Sequence, residues 1–405
     1  MIHVRPFRAW RPVAHAAHLV GSRSFVQYSR QELLEKLAGN PYTFLHVLYA
    51  GPEGQELPRA EHYDQVRAKF IEFIRQGTLV REARPAYYLY EQSCAAFTSR
   101  GLIGAVAVDD YLDGRIKRHE QTIEARERMF CEYLDHTAIN AEPVLLAVPR
   151  EAGLGPELEA CMQGAPLFDF STTDRIRHRF WKVEAPADVE RYAKLFARLP
   201  AAYIADGHHR CASSALRARQ ANAPASAALS AFMAILVPAD ELHLYNYDRT
   251  VKGLNGLSPR QFQEAMARVG PWRDLGGERK APGPGEVQAY INNRWYALAL
   301  PEPRSGAPVE LLETQRLSEH VLGPVLGITD LRADPRMGFV PGILGREALE
   351  KKVDAGKADV AFHLPAVTFA QLRAVADSGG CMPPKSTWIE PKLRSGLTIY
   401  SLEDE

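Results

Sequence analysis

The segment Tyr203–Arg210 carries the densest group of chemically useful side chains in this sequence. It reads Tyr-Ile-Ala-Asp-Gly-His-His-Arg and continues a run of small apolar residues. Arginine is well shaped for bidentate contact with a phosphate, and Asp206 could hold a metal ion or accept a proton. Gly207 would allow a positive φ or close backbone approach. The segment therefore predicts a phosphate-binding turn equipped for phosphoryl transfer. An ordinary turn with a capping aspartate is the alternative.

A second polar cluster lies in the segment Gly114–Thr122. Lys117 and Arg118 are cations of the type that binds phosphate, and they are followed by His119 and Glu120, which could include a general base. The alternative is a solvated, charged start of a helix, which is the usual meaning of a run of charges. The cluster is not a zinc-protease helix, because no second histidine stands at the required spacing.

A third polar cluster occupies Gly379–Trp388. Its Lys385, Ser386 and Thr387 resemble the end of a phosphate loop, although no glycine precedes the lysine. Because neither a complete G-x-x-x-x-G-K-[ST] nor a G-x-G-x-x-G occurs in the chain, the sequence predicts neither a P-loop NTPase nor a Rossmann fingerprint.

Apolar segments before and after the first two clusters indicate how they are positioned. Strands are predicted at Gly101–Val108 and Leu199–Ala205, and an amphipathic helix follows each cluster. If the two strands run parallel in one sheet, both turns emerge at its carboxyl edge, where open α/β sheets bind ligands. The sequence therefore predicts one shared site, in which Glu120 lies beside Asp206 as general base or metal ligand.

The remaining elements indicate a mixed α/β (α+β) fold with a smaller second lobe. We predict an α/β core over residues 1–255, an α+β lobe over 256–340, and a C-terminal segment, 341–405, that returns to the core. The further predicted elements are a turn leading into a strand at Asn40–Val47, a helix over 59–76, strands at Ala86–Gln92, Val144–Val148 and Ala228–Val237, an edge strand or rim at Asp174–Lys182, a capping box at Ser258–Gln261, a turn at Asn292–Asn293 and a helix over about 308–322.

Composition excludes several classes of protein. The 405 residues contain 49 Lys and Arg and 49 Asp and Glu, so the zero net charge argues against holding nucleic acid by bulk charge. The five scattered cysteines suit a reducing cytoplasm and favour free thiols. Cys211 is expected to be a packing residue rather than a reactive thiol. The N-terminus lacks the apolar core of a signal peptide, and no apolar stretch is long enough for a membrane span.

Five ordered motifs resemble the bacterial and archaeal family known as domain of unknown function 1015, over nearly the full length. The motifs are Asn40–Val47, Gly101–Ala105, Ile116–Thr122, Asp206–Arg210 and Met382–Thr387, the last followed by Pro391, Lys392, Gly396 and Leu397. The family name carries no activity.

The Asp206–Arg210 segment also resembles the signature of the ParB/sulfiredoxin-like nucleotide-binding fold. Members of that fold include sulfiredoxins, CTP-dependent ParB proteins and free-serine kinases, and the kinases carry the same Asp-Gly-His-His-Arg turn. The resemblance implies that His208, His209 and Arg210 are phosphate ligands and that Asp206 is the catalytic or metal-holding acid. Reductase chemistry is not implied, because Cys211 comes after the arginine rather than within the turn.

The sequence and its resemblances together predict a cytoplasmic kinase of a small hydroxylated metabolite, with a serine- or threonine-like amino acid as the leading acceptor. ATP or ADP would be the phosphoryl donor with Mg²⁺, which Asp206 and Glu120 would hold. The nucleotide would contact Gly207 and the basic residues of the first two clusters, together with Lys385, Ser386 and Thr387. The alternatives are a phosphatase of a small phosphomonoester such as phosphoserine and a ParB-like nucleotide-gated binding protein. Neither a nucleic-acid partner nor a membrane is expected, and the oligomeric state is left open.

Overall fold

The computed structural model describes residues 1–49, 58–222, 224 and 227–403. These residues form two compact units. Unit 1 contains the described residues of Met1–Arg118, Thr122–Leu242 and Pro391–Glu405, and unit 2 contains His119–Gln121 and His243–Glu390. No helix among the described residues is both long enough and apolar enough to span a membrane.

Unit 1 is built on a large mixed sheet. Its strands, numbered along the chain, are β1 Val4–Arg5, β2 Trp10–Pro12, β3 Leu79–Arg81, β4 Tyr87–Ser93, β5 Thr98–Ala107, β6 Ile116–Lys117, β7 Ile139–Asn140, β8 Val144–Val148, β9 Phe168–Ser171, β10 Arg177–Val183, β11 Ala202–Asp206, β12 Ala231–Pro238 and, near the C-terminus, β21 Tyr400–Ser401. The sheet has the order β6-β11-β8-β12-β5-β4-β10-β9, and β1 pairs with β5. The pairs β2–β3 and β7–β21 stand apart from it.

Helices cover this sheet and connect its strands. They are α1 Ala17–Val20, α2 Arg30–Gly39, α3 Leu45–Leu48, α4 Arg59–Arg75, α5 Val108–Leu112, α6 Glu124–Thr137, α7 Leu154–Cys161, α8 Pro186–Ala197 and α9 His208–Gln220. The central strands β8 and β12 are buried along their whole length, as expected of strands covered on both faces. Apolar side chains of these strands form one core with Cys211 and Ala215 of α9.

Strand directions bring the predicted clusters of unit 1 to one edge. Strand β12 is antiparallel to β5 and parallel to β8, and β8 is antiparallel to β11. Strands β5 and β11 therefore run in the same direction within one sheet, which is the condition for a shared sheet edge, with β8 and β12 between them. Strand β6 pairs in parallel with β11, so the chain beyond Lys117 leaves the sheet at the edge where β11 ends. Helices α5 and α6 both pack against α9 at this end.

Unit 2 is built on an antiparallel sheet. Its strands are β13 His243–Tyr245, β14 Tyr247–Val251, β15 Trp272–Asp274, β16 Glu286–Ile291, β17 Arg294–Ala299, β18 Met337–Pro341, β19 Val360–His363 and β20 Trp388–Glu390. Its helices are α10 Pro259–Val269, α11 Glu313–Leu317, α12 Arg346–Asp354 and α13 Phe369–Asp377. The sheet has the order β15-β17-β16-β19-β14-β18, and β13 pairs with β20. The predicted turn at Asn292–Asn293 joins β16 to β17, and both asparagines have positive φ, as a type I′ hairpin turn requires.

One prediction about local structure is wrong, and two are only partly right. The segment Asn40–Val47 leads into the short helix α3 rather than a strand. The helix predicted over 308–322 begins only at Glu313 and continues as a π-helix, Ser318–Leu322. The predicted edge strand near Asp174–Lys182 is β10, which lies between β4 and β9. Two of its charged side chains are paired across the sheet, since Arg177 binds Asp169 and Arg179 binds Glu91.

The unit boundaries also differ from the predicted division. Strand β14, within the predicted core 1–255, pairs with β18 and β19 and so belongs to unit 2. Of the segment predicted to return to the core, residues 341–390 supply β19, β20, α12 and α13 to unit 2. Only the part after Pro391 is grouped with unit 1. Changes in composition reveal loops, whereas unit membership depends on strand pairing over long sequence separations.

Candidate functional site

The predicted phosphate-binding turn joins the end of β11 directly to the start of α9. Asp206 is the last residue of the strand, Gly207 has φ +101°, and the helix begins at His208. A Cβ atom added to Gly207 would lie 3.3 Å from Arg210 Nε and 3.3 Å from Val144 Cγ2. Both the left-handed backbone and the close contact therefore require glycine here. The first-turn amides of a helix have no partner within the helix and favour a bound anion.

Arg210 ties this turn to the segment before β8. Its Nη1 donates to the carbonyl oxygens of Pro143 (2.8 Å) and Glu142 (3.3 Å). Its Nη2 lies 3.2 Å from Glu142 Oε1 and 3.9 Å from Asp206 Oδ1. Two acidic side chains thus share one guanidinium. Because Nη1 is committed to backbone carbonyls, a phosphate would have to meet the Nε–Nη2 edge.

Asp206 carries a negative charge at neutral pH in this environment. Lys392 Nζ lies 3.2 Å from Asp206 Oδ2. Burial alone would raise the pKa of the carboxyl, but the charges of Lys392 and Arg210 outweigh it and hold the pKa at about 2. The side chain is still 41% exposed, so it is open to a ligand. A carboxylate of this kind is a weak base and a suitable ligand for a cation.

Glu142 is a second carboxylate at the site, and sequence reasoning missed it. It precedes β8, whose N-terminal end lies at the same sheet edge as the C-terminal end of its antiparallel neighbour β11. Burial raises its pKa, although Arg210 opposes this effect, and the charge of Asp206 raises the pKa further. The signal in the sequence was one acid two residues before the predicted strand Val144–Val148.

Lys392 is a second functional residue that the sequence did not single out as part of a site. It follows β11 by 186 residues and was noted only within a family motif. Its side chain is 20% exposed. The sequence pattern around Lys392 does not indicate its contact with Asp206. That contact depends on how the chain after Pro391 rejoins unit 1.

The histidines of the turn begin α9. His208 is buried, whereas His209 is partly exposed. Their contact with a phosphate stays a prediction. Cys211 is fully buried in the apolar core, and burial raises the pKa of its thiol. The expectation that Cys211 is a packing residue is confirmed.

Two basic residues of the second cluster lie in unit 1. Lys117 is on β6, opposite Tyr203 of β11 in the parallel register. Arg118 follows it and hydrogen-bonds Tyr111 of α5. The strand that bears Lys117 therefore lies next to the strand that ends in Asp206, and both strands end at the same edge of the sheet.

The next two residues of that cluster are grouped with unit 2. The carbonyl oxygen of His119 accepts a hydrogen bond from the Met382 amide (2.8 Å), so the second and third polar clusters adjoin. His119 is buried, and burial lowers its pKa to about 4, which keeps the ring neutral. The placement of Glu120 beside Asp206 stays a prediction.

The third cluster is held by a buried arginine of unit 2. Arg249 Nη1 donates to the carbonyl oxygens of Tyr247 (2.8 Å) and Lys385 (2.9 Å), and Nη2 donates to that of Pro384 (3.0 Å). Lys385 has φ +57°, and its exposed ammonium lies over the Tyr247 ring.

The hydroxyl of Ser386 already has a partner in this loop. It donates to the Pro383 carbonyl oxygen (2.7 Å) and is buried. Ser386 therefore supports the loop as it stands, whereas Lys385 is the exposed cation of the cluster. Phosphate contact by Lys385, Ser386 and Thr387 stays a prediction.

The donor set of unit 1 fits an oxygen-loving cation such as Mg²⁺. Asp206 and Glu142 offer two carboxylates, and Mg²⁺ is commonly held by one or two carboxylates together with substrate phosphates. No group of three or more His, Cys, Asp or Glu side chains suited to a metal ion occurs in the part of the chain that the structure describes.

Several solved structures are similar to this chain. A free serine kinase in complex with AMP is 14% identical, with 74% of this chain and 91% of that chain covered and a TM-score of 0.37. A conserved hypothetical protein from Pyrococcus furiosus is 16% identical, with 75% and 96% covered and a TM-score of 0.38. SbnI with a C-terminal truncation, from Staphylococcus aureus, is 13% identical, with 75% and 90% covered and a TM-score of 0.40. Similarity at this level does not transfer an activity.

Comparison with protein families gives a firmer result. No curated protein sequence matches this chain. One family model, however, matches residues 4–319, which is well over half of the 405 residues. The chain therefore belongs to the family described as "Protein of unknown function (DUF1015)".

Proposed function

We propose that this protein is a nucleotide-dependent phosphotransferase that phosphorylates the hydroxyl of a small metabolite. A free serine- or threonine-like amino acid is the leading acceptor, because the Asp206–Arg210 turn resembles that of free-serine kinases. The observation that carries the proposal is the ionised, ligand-accessible Asp206 beside Arg210, Lys392 and the amino end of a 13-residue helix. In this proposal unit 1 has a ParB/sulfiredoxin-like nucleotide-binding core.

The phosphates of ATP or ADP would bind at the start of α9. There they would meet backbone amides of the first helical turn and the Nε–Nη2 edge of Arg210, with His208 and His209 beside them. Lys117 and Arg118 would supply further positive charge from β6 and its end. Phosphoryl transfer needs mainly such positioning and charge stabilisation from a protein.

Asp206 and Glu142, both in unit 1, would hold Mg²⁺. When bound, the ion would neutralise charge on the phosphate oxygens. Asp206 suits this role because it is ionised at all pH values well above 2. In the transfer, the acceptor hydroxyl oxygen bonds to the terminal phosphorus, the bond from that phosphorus to the nucleotide oxygen breaks, and a carboxylate acting as general base accepts the hydroxyl proton.

The test is a screen of the purified full chain with ATP or ADP, Mg²⁺ and a panel of hydroxylated metabolites that includes serine, threonine and homoserine. Mass spectrometry would measure the phosphorylated metabolite and the spent nucleotide together. We expect one acceptor to be phosphorylated in equal amount to the nucleotide consumed. The Asp206→Asn variant, which keeps the side-chain shape, should lose most of this turnover.

Other results would overturn the proposal. Hydrolysis of phosphoserine without any nucleotide would identify a phosphatase instead. Nucleotide binding that no metabolite converts into turnover would favour a nucleotide-gated binding protein. Equal turnover by the wild type and Asp206→Asn would remove Asp206 from the chemistry.

A further inference from the structure

The residues after unit 2 form a strap, residues 391–401, that is fixed to unit 1 at several points. The Lys392 carbonyl oxygen accepts a hydrogen bond from Gln92 Nε2 of β4 (3.1 Å). Further along, Ser395 and Ser22 exchange two backbone hydrogen bonds (2.8 and 3.2 Å), and Ile399 and Trp10 exchange another two (2.8 and 3.0 Å). The backbone that carries Lys392 is therefore held by secondary structure of unit 1.

A buried ion pair fixes the strap two residues beyond Lys392. Arg394 Nη2 lies 2.5 Å from Asp174 Oδ2, and the arginine side chain is almost entirely buried. Asp174 also pairs with Arg23 and Thr172, so it cannot follow a displaced strap without breaking those contacts. The strap then turns tightly at Gly396, where φ is +82° and a Cβ atom would lie 2.5 Å from the Phe44 ring.

These anchors leave the Lys392 ammonium with a defined position beside Asp206. The Lys392 Nζ atom lies 3.2 Å from Asp206 Oδ2, closer than Arg210 Nη2, which lies 3.9 Å from Asp206 Oδ1. Arg210 makes its closer contacts with Glu142 and the Pro143 carbonyl. Lys392 is thus the cation principally available to Asp206.

We infer that Lys392 is a positioning residue for Asp206: held by the anchored strap, it fixes the orientation of the carboxylate for the proposed phosphoryl transfer. This inference rests on the proposed function. Lys392 acts through Asp206, whereas the lysines predicted to contact the nucleotide directly are Lys117 and Lys385. The strap is accordingly part of the candidate site rather than a tail.

The electrostatics of Asp206 are consistent with this role. Besides Lys392, the charged or titratable groups that act on the carboxylate are Arg210 and His208 of α9 and Glu142 before β8. Burial and Glu142 favour the protonated acid, and the cations oppose them. Loss of Lys392 should therefore raise the pKa of Asp206, because an opposite charge at this distance typically lowers a carboxyl pKa by about 1–3.

The experiment compares the full-length wild type with Lys392→Met, Lys392→Arg and a control, Lys194→Met. Lys194 makes a comparable contact, 2.6 Å from Glu190, but on the exposed side of α8. Carboxyl-carbon NMR on aspartate-labelled protein would follow the Asp206 signal, identified by its loss in Asp206→Asn. We expect Lys392→Met to raise the titration midpoint by about one pH unit or more, Lys392→Arg to raise it less, and Lys194→Met to leave it unchanged.

Turnover provides the second measurement. Lys392→Met should lower kcat by about 10–100-fold, which is typical for loss of a group that orients a ligand. It should also shift the acid limb of the pH profile of kcat to higher pH. In the Asp206→Asn variant, Lys392→Met should lower kcat little further, because the carboxylate through which Lys392 acts is absent.

Separate outcomes test the inference and the function. An unchanged Asp206 midpoint in folded Lys392→Met would overturn the positioning role, as would an equal loss of kcat with and without the Asp206 carboxylate. If Lys392→Met does not fold, Lys392→Arg answers the same question: a small rise in the Asp206 midpoint with most of the activity kept supports the role, and a loss of kcat that is equally large without the Asp206 carboxylate refutes it. A wild type with the expected midpoint but no phosphoryl transfer would defeat the proposed function alone.

Discussion

Replacing Gly207 with alanine should destabilise unit 1 and weaken nucleotide binding together. An L-residue held in the left-handed region costs roughly 1–2 kcal/mol. The new Cβ would also press on Arg210 Nε and Val144 Cγ2, both only 3.3 Å from its ideal position. If the guanidinium shifts enough to lose its bond to the Pro143 carbonyl, a charge-assisted hydrogen bond worth about 1.5–3 kcal/mol is lost as well. With both contributions we therefore expect a total loss of roughly 2.5–5 kcal/mol in the free energy of unfolding.

Two other glycines separate these contributions. Gly77 has φ +73° but no atom within 4 Å of an added Cβ, so Gly77→Ala should show the backbone cost alone. Gly39, the last residue of α2, has neither a positive φ nor a close neighbour, so Gly39→Ala should be neutral or stabilising by up to about 1 kcal/mol. The difference between Gly207→Ala and Gly77→Ala measures the contact with Arg210 and Val144.

The assay is urea unfolding of the three variants, followed by calorimetric titration with ADP and ATP. Nucleotide affinity should fall only in Gly207→Ala, because only that substitution disturbs the turn at α9. The reasoning is refuted if Gly207→Ala is no less stable than Gly77→Ala, or if it binds nucleotide as tightly as the wild type. The first result would show that the guanidinium adjusts without cost, and the second that the turn does not bind phosphate.

Three further predictions concern charge at the site and in the core. Arg210→Lys should weaken nucleotide binding by about 1.5–3 kcal/mol, because a point charge cannot reproduce the fork of the guanidinium; unchanged calorimetric affinity in a folded Arg210→Ala protein would contradict this. Asp206→Asn should reduce turnover far more than nucleotide affinity, and near-normal turnover would leave Asp206 with a structural role only. Burial lowers the pKa of His178 to about 3, below the ordinary value of 6.5, so the unfolded chain takes up a proton between these pH values and the folded chain does not. Stability should thus fall as pH drops below about 6.5, by at most about 1.4 kcal/mol per pH unit for this residue, and the pH dependence of urea unfolding should be shallower in His178→Phe; an identical slope would argue against a neutral buried ring.

The turn at Asp206–Arg210 could be predicted from sequence because its parts are adjacent. A strand, a glycine and an amphipathic helix are local features, and their order fixes where the polar residues emerge. The common direction of β5 and β11 meets the condition on which the shared site was predicted, but the position of β8 and β12 between them was not foreseen. That position follows from pairing between distant segments, which hydrophobic periodicity does not encode.

Glu142 and Lys392 could not be found in this way. Each reaches the site from a segment far from the turn, 68 residues away from Arg210 in one case and 186 residues from Asp206 in the other. A single acid before a strand and a single lysine after a proline have no distinctive local pattern. Only the antiparallel register of β8 and the anchors of the strap bring them together.

Local propensity was overruled at α3. The segment Phe44–Leu48 contains an aromatic and a β-branched residue, which favour a strand in isolation. In the structure Phe44 and Val47 are fully buried in a core that they share with α4, and the short helix places both on that side. Tertiary packing therefore decided the conformation of this segment.

The return of the strap to unit 1 has a consequence for how the protein is made. Asp206 leaves the ribosome 186 residues before Lys392, which at ordinary rates of translation corresponds to roughly 10–40 s. During that interval unit 2 is synthesised, while the sheet of unit 1 already contains all the strands of its main order. A nascent chain can thus contain a nearly complete unit 1 in which Asp206 has not yet met Lys392. The arrangement proposed here would arise only when the strap, residues 391–401, docks.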